Sequence, residues 1–594
     1  MTTLETLPVE LFSDNLLLEL PIESLLQLAS TNKFFSSLCS DELLWQRRLK
    51  SDFNFSGAGT ARTSGWKFIY RNMYNPKVFV WGEKANGRLG LGAKFPKSSL
   101  LGSGVPFPTR LRIPQARIVN IVAGGMSFHA LDSEGRLWVW GTLNSLTAAL
   151  NSEGFSEPGK VAHTPLRLDL PVRITEISCG RLHSLALDSQ SQLWNWTSWG
   201  RPFLLSSRHI TTDSKPVQVE CGWNFSSILT KSGEIFVWWP LSSEMGDQIR
   251  DKNNEMDETK EFAARAAEGV IPCVPWSLDA PDLSRLPPLP RLPKLVETGD
   301  NAEYDQVKIV KIAAMDARLV ALTDQGHVLL FRGLESEDTL ADGAWSYLPN
   351  FSELNRVRTM PPFNGTQPVI AAPPTMKITH ISAHFLKFFA YSTGASSIVL
   401  MGNTETQDNS PPHIEPTLQN RSVISVHVGD WHYAALTATG ELLTWGGYSA
   451  GALGLGDPTE LPVGGPGGFS TEQARLNALD RGLGNPPNTT LPTQVRFDHA
   501  RKSPKDRFCF LACASGWHTG ALVIDLQKDA DDNKESEEED EELVEIRPPT
   551  HVRLNPAPHL PIPGHGGIGG GVFRVGFAGR GLTRGGQARG PPTA

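Results

Sequence analysis

Three histidines in this 594-residue chain share one recurring register. His183, His432 and His518 each stand four residues before a leucine, at Leu187, Leu436 and Leu522. An imidazole offers a general base, a proton shuttle or a metal ligand near neutral pH. Those tasks gather different residues at one place, whereas these three recur along the chain. They read as hydrogen-bond partners that hold a turn in each repeat. Asp430-Trp431-His432 lies in a predicted turn that faces a free end of the repeat, and no reaction is assigned to it. Cys509 and Cys513 fall on a predicted strand with no histidine pair at ligand spacing, so they read as small buried residues. The nucleophile-elbow, zincin and phosphate-loop patterns are absent. The expectation is a non-enzyme with no catalytic residue, no cofactor and no metal.

Bulk composition narrows the class. The 55 Gly and 44 Pro suit turn-rich β structure more than a helical chain. A net charge of −8 argues against broad nucleic-acid binding, which needs a basic face. Six scattered cysteines without a Cys-x-x-Cys pair fit a reducing compartment. The N-terminus carries acids and no apolar signal core, and no run of eighteen apolar residues occurs, so no membrane contact is expected. The chain reads as soluble and cytoplasmic and/or nuclear.

The elements that position the histidines repeat. Leu131, Leu187, Leu229, Leu322 and Leu436 each precede Trp140, Trp196, Trp238, Phe331 and Trp445 by nine residues. That interval holds a short strand, a tight turn and a second short strand. Alternation at Leu137-x-Val139, Ile235-x-Val237 and Leu442-x-Thr444, around Gly135, Gly233 and Gly440, predicts antiparallel hairpins. A β-rich segment precedes each hairpin, so every unit is a small sheet. Such a sheet cannot bury both faces alone, but radial repetition lets each cover the next. Six complete units run from Gly124 to Trp445, and a half unit, 507–526, lacks its Trp strand. The strand 77–82 lacks its first half, so pairing of the N- and C-terminal strands would make a seventh blade and close the ring.

WGEKANGRLGLG from Trp81 and WGGYSAGALGLG from Trp445 are the same Gly-punctuated exit from a blade. The Trp ends a strand and packs between sheets. Gly82, Gly87 and Gly446 supply the backbone freedom that a tight crossing needs. With Gly-x-x-His upstream, at Gly180/His183 and Gly429/His432, the pattern resembles the repeat of the regulator of chromosome condensation 1 (RCC1) family. That resemblance spans roughly 77–526 and implies a seven-bladed propeller. Trp81, Gly82, Gly87, Trp140, His183, Trp196, His432, Trp445, Gly446 and His518 are its expected structural positions. It is weakest around Ala313 and Ser382, where the Trp-Gly and the His are missing.

Nothing in a propeller requires residues 1–55. Leu7-Pro8-Val9-Glu10 and Leu20-Pro21-Ile22-Glu23 mark helix starts, and Leu25, Leu26, Leu28 and Ala29 form an apolar stripe at helical spacing. Asp41 can cap a last helix carrying Leu44, Trp45, Arg48 and Leu49. A bundle this small buries little and leaves apolar surface for a neighbour. The order of Leu-Pro-x-Glu-Leu, Leu20-Pro21, Leu25, Asn32-Lys33-x-Phe35, Leu38 and Leu44-Trp45 resembles an F-box. That resemblance implies docking to Skp1, and through it to a cullin-RING ligase, by Leu7, Pro8, Leu11, Leu20, Pro21 and Leu25. The alternative is a bundle that merely packs on the propeller.

The expected architecture is therefore α plus all-β. A helical domain occupies 1–55, a linker 56–76 and the propeller 77–526, with insertions at about 241–306, 334–376 and 457–506. The insertions read either as recognition loops or as padding. The first offers a short helix and the stretch PPLPRLP, a spacer or a ligand for an SH3-type groove. Residues 527–594 are acidic and then Gly/Arg-rich, which predicts a disordered tail. The combination is similar to fungal F-box/RCC1-repeat proteins and implies the substrate-recognition subunit of an SCF-type ubiquitin ligase, binding an unidentified protein substrate. The alternatives are a guanine nucleotide exchange factor for a small GTPase, from the propeller alone, and a scaffold or chromatin binder.

Overall fold

Seven sheets of three to five strands form the body of the molecule. They are seen in a computed structural model that describes residues 8–92, 104–144, 154–259, 263–280, 283–299, 306–365, 370–481, 486–499 and 506–526. The predicted tail at 527–594 and Leu7 lie outside these residues. Each blade starts with an inner strand: Ile118–Ala123, Ile174–Cys179, Pro216–Cys221, Ile309–Ala314, His380–His384, Val423–Val428 and Arg507–Ser515. A second strand returns antiparallel, and a third carries the recurring Trp or its substitute. Blades 1 to 6 follow chain order. In blade 7, Lys77–Glu83 lies antiparallel beside His518–Asp525, with Lys77 opposite Val523 and Gly82 opposite His518. The structure is a seven-bladed β-propeller with N-terminal helices.

The hairpins depend on the residue that follows each recurring leucine. Asp188 Oδ1 accepts the backbone N–H groups of Gln190 and Gln192 at 2.8 and 2.9 Å, and its Oδ2 accepts Trp194 Nε1 at 3.1 Å. Asp132 does the same for Glu134, Arg136 and Trp138. In three further blades a threonine hydroxyl accepts the corresponding N–H: Thr230 from Glu234, Thr323 from His327 and Thr437 from Glu441. A side chain bonded to its own turn fixes the two-strand geometry locally. This Leu-Asp/Thr signal was present in the sequence, next to the leucines that set the register.

The insertions do more than form loops: they supply outer strands to the blades. Val270–Pro272 and Trp276–Asp279 add to blades 1 and 2 by parallel pairing, and Ser284–Arg285 adds to blade 3. Ala344–Tyr347 and Thr489–Gln494 complete blades 4 and 6. Such strands are short and half-exposed, so they lack the alternation that marks inner strands. The first insertion also carries a helix, Ser243–Glu258. The stretch 56–76 is likewise more than a linker. It contains the helix Trp66–Asn72, and Thr60, Ala61, Arg62, Trp66 and Ile69 are buried. Trp66 and Ile69 belong to the same apolar cluster as Phe55 and Phe510 of blade 7.

The helical module begins at Val9–Leu11, widens into one π turn at Phe12–Leu16 and resumes at Leu17–Glu19. Ile22–Ala29, Lys33–Leu38 and Glu42–Phe53 follow. Asn32 and Asp41 cap the last two, accepting from Phe35 N and Leu44 N at 3.0 Å. Phe12, Leu17, Leu25, Phe35, Cys39 and Leu44 form the module's own core. Arg48, buried beneath it, donates to the Leu17 and Leu20 carbonyls and so satisfies the end of the first helical stretch.

Candidate functional site

The repeated histidines join one blade to the next. His183 Nε2 lies 2.9 Å from Ser226 Oγ of blade 3, and His432 Nε2 lies 2.9 Å from Thr519 Oγ1 of blade 7. His518 Nε2 donates to the Ser127 carbonyl of blade 1 at 3.2 Å. Burial pushes His183 and His432 down to about 4 and His518 well below its ordinary value, so all three are neutral at pH 7. Gly429 is required because a Cβ there would lie 2.1 Å from the His432 ring. These residues do not form one catalytic centre. Cys509 and Cys513 are buried on the inner strand of blade 7.

The two Gly-punctuated phrases also work between blades. Gly90 of the first sits under Trp140 of blade 1, and a Cβ there would come within 2.8 Å of the indole. Gly454 of the second sits under Trp81 of blade 7 in the same way, at 2.6 Å, and Trp81 Nε1 donates to the Ala452 carbonyl at 2.8 Å. Gly82 and Gly446 both adopt φ above +100°, and Gly87 has φ +69°. Trp81, Trp140 and Trp196 are fully buried. Trp445 is buried between Phe389 and Tyr433.

At one end of the ring the turns between first and second strands converge. Arg181 of blade 2 reaches across to Asp430 of blade 6, with Nη1–Oδ1 and Nη2–Oδ2 distances of 2.8 and 3.1 Å. Its guanidinium is held between the rings of Trp223 and Phe385, 4.3 and 4.9 Å from their centroids. Asp316 of blade 4 lies 4.0 Å from Arg181, and His384 of blade 5 lies 3.5 Å from Asp430. Backbone bonds from Gly125 to Gly180, Trp223 to Asp316, Asp316 to Phe385, and Asp430 to Gly516 link neighbouring turns. Burial pulls Asp430 upward, but the His384 hydrogen bond and the Arg181 charge outweigh it and hold the carboxyl well below the usual carboxylate range. Burial lifts Asp316 to about 6 against the pull of Arg181. Trp431, 52% exposed, stands beside Phe385 at this end.

Behind the hub, the inner strands of all seven blades line a channel of about 1000 Å³. Arg47, Lys50, Asn54 and Ser56 line its opposite mouth. Asn54 Nδ2 donates to the Ile174 carbonyl, Ala61 N to the Ile424 carbonyl, and Arg62 to that of Ala438. The helical module thus sits at the hairpin-turn end. The hub lies at the other, one inner strand away, or about 20 Å.

Glu176, Glu220 and Lys311 meet inside the channel. Burial raises Glu220 to about 8 and Glu176 to about 7, with Lys311 opposing, while burial lowers Lys311 itself. The folded chain therefore keeps a proton on Glu220 that the unfolded chain releases near its ordinary value of 4.5. That contribution to stability is complete below the ordinary value and is lost as pH rises through about 8. Thermal unfolding midpoints should fall from pH 6 to pH 9, and Glu220→Gln should flatten the fall. An unchanged slope would contradict the assignment. His183 and His432 act oppositely at low pH, since their contribution is lost as pH falls from about 6.5 through about 4.

The N-terminal positions divide sharply. Pro8, Leu11 and Pro21 are exposed, Leu20 is half-buried, and Leu25 is 1% exposed in the module's core. Leu25 therefore packs the module and offers no surface. Sequence pattern missed Val9, Leu16 and Leu43, which are exposed, as are Leu11 and Leu26. These five make up a third of the fifteen large apolar side chains exposed among the described residues. Among those residues, no helix is long and apolar enough to cross a membrane, and no cluster of His, Cys, Asp and Glu could hold a metal.

No family model matches the chain. It is 30% identical over 175 residues to the RCC1 domain-containing protein RUG3, mitochondrial, of Arabidopsis thaliana, covering 27% of this chain and 38% of that protein. The propeller is RCC1-like. Human RCC1-like G exchanging factor-like protein is 25% identical over 430 residues, covering 64% of this chain and 80% of that protein. Saccharomyces cerevisiae SCF-associated factor 1 is 21% identical over 363 residues, covering 59% of this chain and 42% of that protein. The chain thus spans well under half the length of the first and the last of these relatives.

Proposed function

We propose that the chain is a substrate-recognition subunit of an SCF-type ubiquitin ligase. The N-terminal helices act as an F-box that docks Skp1 and through it a cullin-RING ligase. The propeller holds a protein substrate on the hub end, around Trp431, Phe385 and Trp223. The chain supplies no chemistry of its own, and ubiquitin transfer follows from the proximity that the assembly creates. The observation that carries this reading is the density of exposed leucine and valine on a module whose own core is already filled. The likeness to a protein named SCF-associated factor 1 supports it. Such a ligase subunit would work in the cytoplasm or nucleus, where six unpaired cysteines stay reduced.

The propeller's similarity along most of an exchange-factor-like protein favours one second reading, nucleotide exchange on a small GTPase. Two measurements on the purified full chain separate them. Capture of purified Skp1 with no release of labelled GDP from a GTPase panel supports the ligase subunit. GDP release without Skp1 capture overturns it.

A further inference from the structure

The first insertion holds a feature that neither proposed docking surface uses. After Ser284–Arg285 joins the edge of blade 3, the chain continues as LPPLPRLPKLV, residues 286–296. Its burial repeats every three residues. Leu286 is buried, and Leu289, Leu292 and Leu295 are half-buried. Pro287, Pro290 and Pro293 are all exposed, as are Pro288, Arg291 and Lys294. A period of three is that of a polyproline II helix, which has three edges. No residue of this stretch has a positive φ.

The leucine edge rests on the propeller. Leu286 and Leu289 belong to the apolar cluster between blades 3 and 4. Two carbonyls six residues apart, two full turns, accept from that surface: Pro287 from Trp345 Nε1 at 2.9 Å, and Pro293 from His327 Nε2 at 2.8 Å. The same contacts tie the segment down at two points and leave two edges in solvent. One is all proline, and the other ends in two cations.

We propose that residues 286–296 are a pre-ordered ligand for an SH3-type domain of a partner protein. Such a groove packs the proline rings of a polyproline II helix between aromatic side chains. Here the edge of Pro287, Pro290 and Pro293 is left in solvent. Arg291 and Lys294 fit the acidic pocket beside such a groove. Because the propeller has already ordered the segment, binding does not incur that entropy cost again.

The test is titration of a broad panel of purified SH3 domains against the full chain and against a free peptide of residues 284–296. At least one domain should bind the full chain as tightly as the peptide or more tightly. Arg291→Glu/Lys294→Glu should weaken it by about tenfold or more, with no change in the unfolding midpoint, since both side chains are exposed. Pro290→Ala should weaken it independently of charge. The proposal is overturned if no domain binds the full chain, or if the peptide binds and the full chain does not.

Discussion

Leu11→Asp/Leu16→Asp should weaken Skp1 binding by about two orders of magnitude, the scale of losing two interface anchors. Leu11 is 51% and Leu16 44% exposed, so neither supports the module's core. The double variant should unfold at the wild-type temperature. A carboxylate at either place would have to be desolvated against an apolar partner, which costs more than losing the leucine contact alone. Trp431→Asp, at the opposite end of the propeller, should leave Skp1 affinity unchanged and instead abolish substrate capture. Wild-type affinity in the double variant would show that the exposed leucines are not the interface.

The second large effect concerns the hub. Arg181→Met should destabilise the propeller by about 3 kcal/mol, because it strands the Asp430 carboxylate among groups arranged to hold it charged. Only 14% of the Arg181 side chain and 11% of the Asp430 side chain reach solvent, so water replaces little of the lost pairing. Asp430→Asn in the same chain should recover much of that loss, since the amide needs no counter-charge. The single variant should also suffer less at pH 5 than at pH 8, because Asp316, lifted to about 6 against the pull of Arg181, is protonated at the lower pH and does not miss the guanidinium. A loss below about 0.5 kcal/mol, the scale of an exposed pair, would mean that the hub carries no structural load.

What could be read from the residues alone follows from distance along the chain. The recurring leucine, the Trp nine residues later and the turn glycine are close neighbours, and local alternation announces a hairpin. The caps at Asn32 and Asp41 are equally local. Arg181 and Asp430 stand 249 residues apart and meet only because the ring brings blades 2 and 6 face to face. Nothing in either turn marks the other as its partner. The outer strands escaped for another reason. Thr489–Gln494, with one buried residue at its start, has no apolar face to declare. Residues 56–76 looked like a linker because Gly and Ser dilute a signal carried by Trp66 and Ile69. Leu25 matched the docking pattern by position, but its burial is decided by Phe12 and Phe35 around it.

The central claim is that two surfaces at opposite ends of one propeller have separate partners. Hydrogen–deuterium exchange of the full chain, alone and with Skp1, tests it most directly. The account predicts protection confined to the helical module between Pro8 and Phe53, with the turns around Arg181 and Asp430 exchanging as in the free chain. Protection at those turns, or none on the helices, would contradict it.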